Sequence, residues 1–297
     1  MDYTLNCNGR LVSVGEPLVM GILNATPDSF FAGSRRQTEA DIATRTEQIL
    51  REGGAIIDVG ACSTRPGGEA VGEAEETARL RLALRTVRQV APQAVVSVDT
   101  FRPDVARMAV EEFGADIIND VGGGQSSFLS SSPSSLLLSP SSLLQKVSPM
   151  FRMVSRLRVP YIYMSRQPTV RDILLDCAAA VDALRAIGQK DIMVDPGFGF
   201  GKTIEQNYAL LNDLERMHAL ELPVLVGLSR KSMIYRLLRG NPEQALNGTT
   251  ALNTIALMKG ASILRVHDVS EAVECVRLVA AVRDRDIVAA LQRGREL

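Results

Sequence analysis

Apolar residues along this chain gather in eight short runs: Leu18–Leu23, Ala55–Val59, Val95–Val98, Asp116–Ile118, Val159–Met164, Asp191–Val194, Val224–Gly227 and Ile263–Val266. Each is rich in Val, Ile and Leu and does not alternate with polar residues, the pattern of parallel strands covered on both faces. The segments between them carry helical signals. Thr38, Glu39 and Asp41 open a helix whose apolar stripe ends at Gly53 and Gly54. Pro103 begins another, closed by Gly114. Thr203–His218 and Gln244–Gly260 follow the same grammar. Eight strand–helix units in one chain of this length predict an α/β fold of the (β/α)8 TIM-barrel type, with a doubly wound open sheet as the alternative. Ahead of the first run, Asn8-Gly9 inside Thr4–Val14 predicts an N-terminal β-hairpin within residues 1–16.

One stretch breaks the alternation. From Ser126 to Ser142, ten of seventeen residues are Ser, with Leu136–Leu138 among them and Pro133 and Pro140 blocking a continuous helix. The expectation is an irregular, divergent insertion after the fourth strand, spanning 125–158, within a single domain covering 1–297.

Composition narrows the function classes. The 297 residues are 46% hydrophobic and carry a net charge of −1, from 33 basic and 34 acidic side chains. Such a balance offers no global field for a nucleic acid backbone or an anionic membrane, so neither partner is expected. Cys7, Cys62, Cys177 and Cys275 are scattered with no CxxC pair, which predicts neither a zinc knuckle nor a disulfide framework and suits a cytoplasmic protein. No apolar run approaches the roughly 20 residues needed to span a bilayer.

Polar residues cluster where the predicted strands end, the face on which barrels of this type carry their chemistry. Asn24, Thr26 and Asp28 follow the first strand. Asp58 lies in the second, which leads to Ser63, Thr64 and Arg65. Asp99 and Thr100 follow the third, Asn119 and Asp120 the fourth, and Asp195 the sixth. Ser229, Arg230, Lys231 and Ser232 follow the seventh, and Arg265, His267 and Asp268 the eighth. Any one of these could be a helix cap or a buried, satisfied polar group. Together, Asp99, Asn119, Asp195 and Lys231 suit a flat heterocycle with several N–H donors and acceptors. Arg65, Arg265 and His267 offer the opposite polarity, suited to a phosphate-bearing group. Two glycine-rich patterns are decoys. Gly201-Lys202-Thr203 lacks the upstream Gly of a P-loop, since Pro196 stands there. Gly197–Gly201 fails the dinucleotide fingerprint at Lys202.

Seven ordered motifs, Gly21–Phe30, Ser63–Gly67, Val98–Thr100, Ile118–Asp120, Asp195–Phe200, Ser229–Ser232 and Arg265–Asp268, together resemble the dihydropteroate synthases of folate biosynthesis. The resemblance covers nearly the whole chain and fails mainly between Gln125 and Val170. It implies a cytoplasmic, homodimeric transferase and sulfonamide target that condenses 6-hydroxymethyl-7,8-dihydropterin pyrophosphate with p-aminobenzoate, using Mg2+ as cofactor. Carried over residue by residue, Asp99, Asn119, Asp195 and Lys231 would hold the pterin, with Met164 and Phe200 as apolar walls. Asn24, Thr64, Arg65, Arg265 and His267 would hold the pyrophosphate, and Asn24 would also contact the metal. Ser232, beside Ser229 and the loops carrying Phe30, Phe31, Arg65 and Pro66, would receive the aminobenzoate. Asp99, Asp195, Lys231 and Arg265 would carry the catalysis. The chain departs from the family after Asp120, where Val121–Gly124 replaces a Ser-Gly-Gly turn, and at Met164–Thr169, where a Met-His-x-Arg-Gly-Thr-Pro loop is usual. Two other activities stay open on these residues: a methyltetrahydrofolate:corrinoid methyltransferase, and a pterin-binding protein impaired by the divergent segment.

Overall fold

A computed structural model describes residues 3–25, 39–62, 71–124 and 147–284. Eight parallel strands form a barrel: β3 (Leu18–Asn24), β4 (Ile56–Gly60), β5 (Val95–Asp99), β6 (Ile117–Asp120), β7 (Tyr161–Met164), β8 (Ile192–Asp195), β9 (Leu225–Val226) and β10 (Ile263–Val266). Their hydrogen-bonded order is β8-β7-β6-β5-β4-β3-β10-β9, and a parallel bridge between Val194 and Val224 closes the ring. All eight predicted apolar runs are strands, and the architecture is the (β/α)8 barrel rather than the open sheet.

The helices form the outer layer: α1 (Glu39–Arg51), α2 (Glu73–Val90), α3 (Pro103–Phe113), α4 (Pro149–Leu157), α5 (Val170–Ala186), α6 (Ile204–Asn212), α7 (Ser232–Leu237), α8 (Leu246–Met258) and α9 (Val269–Arg283). Pro103 occupies the first turn of α3 and Gly114 its left-handed C-cap at φ 62°, as Pro and Gly at those two places require. Thr203 and Gln206 form a reciprocal capping box at α6. The expected helix over Thr203–His218 divides after Asn212 into α6 and a 3₁₀ segment, Leu214–Leu220. Leu214 and Met217 are both buried, and a three-residue repeat puts such a pair on one face. Among the described residues no helix is long and apolar enough to cross a membrane.

The Ser/Leu tract lies outside the described residues. The described end of the expected 125–158 insertion, however, is a regular helix, which corrects that boundary. Ser148 caps α4 by accepting from Phe151 N–H, and Met150, Phe151 and Val154 are buried. The Phe151 ring meets Tyr161 and Tyr163 edge-on, each 5.9 Å away between centroids. These contacts fix α4 against β7, in the place of the fourth barrel helix.

The N-terminal hairpin pairs β1 (Thr4–Cys7) with β2 (Arg10–Ser13). Asn8 and Gly9 turn it with positive φ, 52° and 87°, as a tight hairpin turn demands. Its Leu5 and Cys7, with Val14, pack on one apolar residue from each barrel strand: Met20, Ile56, Val95, Ile117, Ile162, Met193, Leu225 and Ile263. Two positions further along every strand, the same pleat face carries Ile22, Asp58, Ser97, Asn119, Met164, Asp195, Gly227 and Arg265. The barrel interior therefore changes from greasy to polar within one turn of the pleat. The alternate residues, such as Val59, Val98 and Val194, face the helices in the main core.

Candidate active site

The polar layer is organised around Arg265. From β10 its Nε donates to Asp58 Oδ2 at 2.6 Å and its Nη2 to Asp99 Oδ2 at 2.7 Å. Asp58 is fully buried, whereas Asp99, two residues beyond Ser97 on the neighbouring strand, stands nearer the opening. Burial disfavours the charged guanidinium, but the two carboxylates more than offset it and hold its pKa above the usual arginine value. Burial pushes Asp99 up to about 7, and Asp58, Asp120 and Asp195 push in the same direction against Arg265. Asn119, nearly fully buried on β6, donates from Nδ2 to both Asp58 oxygens at 3.4 and 3.3 Å. Its Oδ1 has no hydrogen-bond partner among the described residues.

Across the barrel, Asp195 ends β8 and accepts from Gly197 N–H at 2.7 Å. Burial raises its pKa while Lys231 and that backbone bond pull it back down. The following loop, Gly197–Lys202, is shaped by two lysines. Lys231 donates to Phe198 O and lies 4.6 Å from the centre of the Phe200 ring. Lys202 donates to Gly197 O at 3.0 Å and Phe200 O at 3.4 Å. Burial lowers both ammonium groups to about 8, with Asp195 opposing the shift in each. Gly197 has φ 72°, and a Cβ there would fall 2.1 Å from Ser165 O. Only glycine lets the loop pass this close to β7, where Met164 pairs with Asp195 across the sheet.

The turn after β9 presents Lys231 and Ser232 through a left-handed residue, Arg230, at φ 54°. That conformation is costly for a side chain with a Cβ, and it is held from three directions. Arg230 forks onto Asp268 at 2.9 and 2.8 Å, donates to Pro242 O and Glu243 O, and its N–H reaches Thr249 Oγ1. Ser229 Oγ lies 3.0 Å from His267 Nδ1 and accepts from His267 N–H at 3.1 Å. The last two strand-end loops are thus one hydrogen-bonded unit. Ser232 is the first residue of α7, with Lys231 at its N-cap.

These observations place Asp99, Asn119, Asp195, Lys231 and Arg265 at one end of the barrel, with Met164, Phe200, Ser229, Ser232 and His267 around them and Asn24 at the end of β3. A family model described as pterin binding enzyme matches residues 20–267. The dihydropteroate synthase of Escherichia coli strain K12 is 36% identical over 288 residues, covering 93% of this chain and 95% of that protein. The chain belongs to the dihydropteroate synthase family. Solved structures agree. A Xanthomonas albilineans dihydropteroate synthase with 4-aminobenzoic acid superposes with a TM-score of 0.82 at 34% identity, covering 95% of this chain and 99% of that one. The same organism's enzyme in complex with 7,8-dihydropteroate gives 0.77 at 35% identity, with 95% and 99% covered.

Within this member of the family, Thr64 and Arg65 lie outside the described residues, as do Phe30, Phe31 and Pro66. Asp120, adjacent to Asn119, faces away from the mouth. Its oxygens accept from Gly122 N–H, Gly124 N–H and the Tyr161 hydroxyl at 2.7, 2.8 and 2.6 Å, which braces the turn that replaces the usual Ser-Gly-Gly. Ser165, where the family usually has His, donates to Asp176 Oδ2 at 2.6 Å, and Tyr163 donates to the same oxygen at 3.1 Å. Two participants were seen in the sequence but given no role in the site. Lys202 looked like the tail of a failed phosphate motif, and its tie to the Phe200 loop has no signature in spacing. Asp58 did leave a signal, a lone charge inside an apolar strand.

Proposed function

We propose that the chain condenses 6-hydroxymethyl-7,8-dihydropterin pyrophosphate with p-aminobenzoate to give 7,8-dihydropteroate and pyrophosphate. The observation that carries this reading is the convergence of acceptors Asp99, Asp195 and Asn119 Oδ1 with the donor Lys231 in a largely buried layer, with Arg265 beside them. A flat heterocycle bearing both N–H groups and ring acceptors satisfies such a set.

Breaking the methylene C–O bond of the substrate builds positive charge on the pterin and negative charge on the departing pyrophosphate. Asp99 and Asp195 lie where the first can be stabilised. Arg265 retains three N–H groups without a partner among the described residues, and these, with Ser229 and His267, suit the second. The aryl amine then attacks the methylene carbon and sheds a proton, so no protein nucleophile is needed. Ser232, at the start of α7, would receive the aminobenzoate carboxylate, since helix-start N–H groups favour an anion.

Among the described residues no three His, Cys, Asp or Glu side chains form a metal cage. Asn24 supplies one amide oxygen at the mouth, the donor type suited to Mg2+ that takes its remaining ligands from phosphate and water. When bound, the ion would neutralise charge on the leaving pyrophosphate. A homodimer also fits the surface: Leu237, Ile255, Met258, Leu278 and Val282, on α7, α8 and α9, are all exposed. The working site is expected in the cytoplasm.

A coupled pyrophosphate-release assay with both substrates, with and without Mg2+, tests the reading. Release should require both substrates and the ion and should vanish in Asp195→Ala. Turnover of that variant at the wild-type rate, or no release by the wild type, refutes it.

A further inference from the structure

The proposed chemistry leaves Asp58 without a task, although it is a fully buried charge inside the barrel. It ends no strand and faces no opening; it lies in mid-β4, fully buried, paired in register with Ser97. Two site residues, on β10 and β6, each two strands away on either side of β4, converge on it. Arg265 Nε donates to Oδ2 at 2.6 Å, and Asn119 Nδ2 faces both oxygens at 3.3 and 3.4 Å. A carboxylate paired with a guanidinium only accepts, so the nitrogen end of the Asn119 amide must turn toward it. The oxygen end is thereby turned away, and Oδ1 is the atom left buried and unpaired among the described residues. A buried carbonyl oxygen without a donor is costly, and a ligand N–H would remove that cost.

We propose that Asp58 is a positioning residue that fixes the Asn119 amide with its acceptor oxygen toward the substrate and anchors Arg265 beside it, so that the site selects a pterin edge presenting an N–H. This deepens the pterin reading and rests on it. The same carboxylate joins the group that reads the heterocycle to the group that faces the pyrophosphate, so one substitution should disturb both. With Asn at position 58, the new amide can donate as well as accept, the Asn119 amide loses its forced orientation, and Arg265 loses its anchor.

The test uses the full-length protein. Binding of 6-hydroxymethyl-7,8-dihydropterin is followed by calorimetry, and turnover by pyrophosphate release, for wild type, Asp58→Asn, Asn119→Ala and the double variant. Asp58→Asn should raise both the pterin Kd and the KM for pterin pyrophosphate at least about tenfold. In the Asn119→Ala background the same change should alter Kd by less than about twofold, because its target is gone. An unchanged Kd in Asp58→Asn, or fold-changes that multiply in the double variant, overturns the assignment. A merely structural role would lower the active fraction and leave Kd and KM alone. A second measurement needs no variant. On titrating the pterin into wild type with labelled asparagine, the Asn119 side-chain carbonyl carbon should shift while its amide protons stay protected, and the reverse pattern overturns the proposal. Should the wild type bind no pterin, the reading of the site falls with it; should it bind pterin while the Asp58 results fail, only the role of Asp58 falls.

Discussion

Replacing Lys231 by Met keeps the length of the side chain and removes one charge, and the surroundings set the size of the effect. The ammonium donates to Phe198 O, lies 4.6 Å from the Phe200 ring centre and opposes the burial-driven rise in the Asp195 pKa. A hydrogen bond from a charged donor contributes roughly 1.5–3 kcal/mol, and a desolvated cation–π contact about 2 kcal/mol. Removing the cation also strands the Asp195 carboxylate. Taking about 3–4 kcal/mol as lost from the transition state, kcat/KM should fall roughly 10²–10³-fold. Stability should move less, because burial holds Lys231 at about 8, below its usual 10.5. Between those two values the unfolded chain binds the extra proton, so this group makes stability rise with pH across that window and contributes least below about 8. In Lys231→Met that rise should flatten. The wild-type activity should decline above about 8 as the ammonium deprotonates, and in the variant, which has no ammonium at that position, this limb should be lost. Pyrophosphate release measured from pH 6 to about 10, alongside thermal unfolding, reads both effects. A loss under about fivefold, or an alkaline limb unmoved, would refute the account of Lys231 as the charged donor of the site.

Two further outcomes follow from packing. Gly197→Ala adds a Cβ 2.1 Å from Ser165 O at a residue with φ 72°; the midpoint of thermal unfolding should drop by about 5–10 °C and turnover at least tenfold, with an unchanged melting curve counting against the close approach. Leu278→Glu together with Val282→Glu places charge on the exposed apolar face of α9; light scattering should show a dimer turning monomeric at micromolar concentration with the fold retained, and a wild-type monomer would remove the dimer proposal.

Much of this architecture was legible in the chain because parallel barrel strands are buried on both faces and announce themselves as apolar runs. The helix starts at Pro103 and Thr203 were equally plain, since capping is local chemistry. What lay hidden depended on distance in sequence. Asp58 and Arg265 touch although 207 positions separate them, and no spacing rule reports such a pair. Arg230 and Asp268 were both visible as strand-end charges, yet their fork across two loops follows only from the pairing of β9 with β10. The helix α4 was misjudged for another reason. The Ser/Leu tract ahead of it dominates the local composition, while the evidence for the helix, Ser148-Pro149 followed by Met150, Phe151 and Val154, occupies only a few residues.

The hairpin at the chain's start has a consequence for traffic. With Leu5, Cys7 and Val14 seated on the apolar ring, that end of the barrel is covered by the hairpin, and on the proposed chemistry both substrates enter the polar layer from the opposite end. The molecule that fills the bottom must arrive first and depart last. On the proposed chemistry the pterin, read by Asn119 and Asp195 at depth, loads ahead of the aminobenzoate at Ser232, and the joined product cannot back out past an occupied rim. A plug made of four-residue strands at the far end would thus impose a queue on the substrates at the near one.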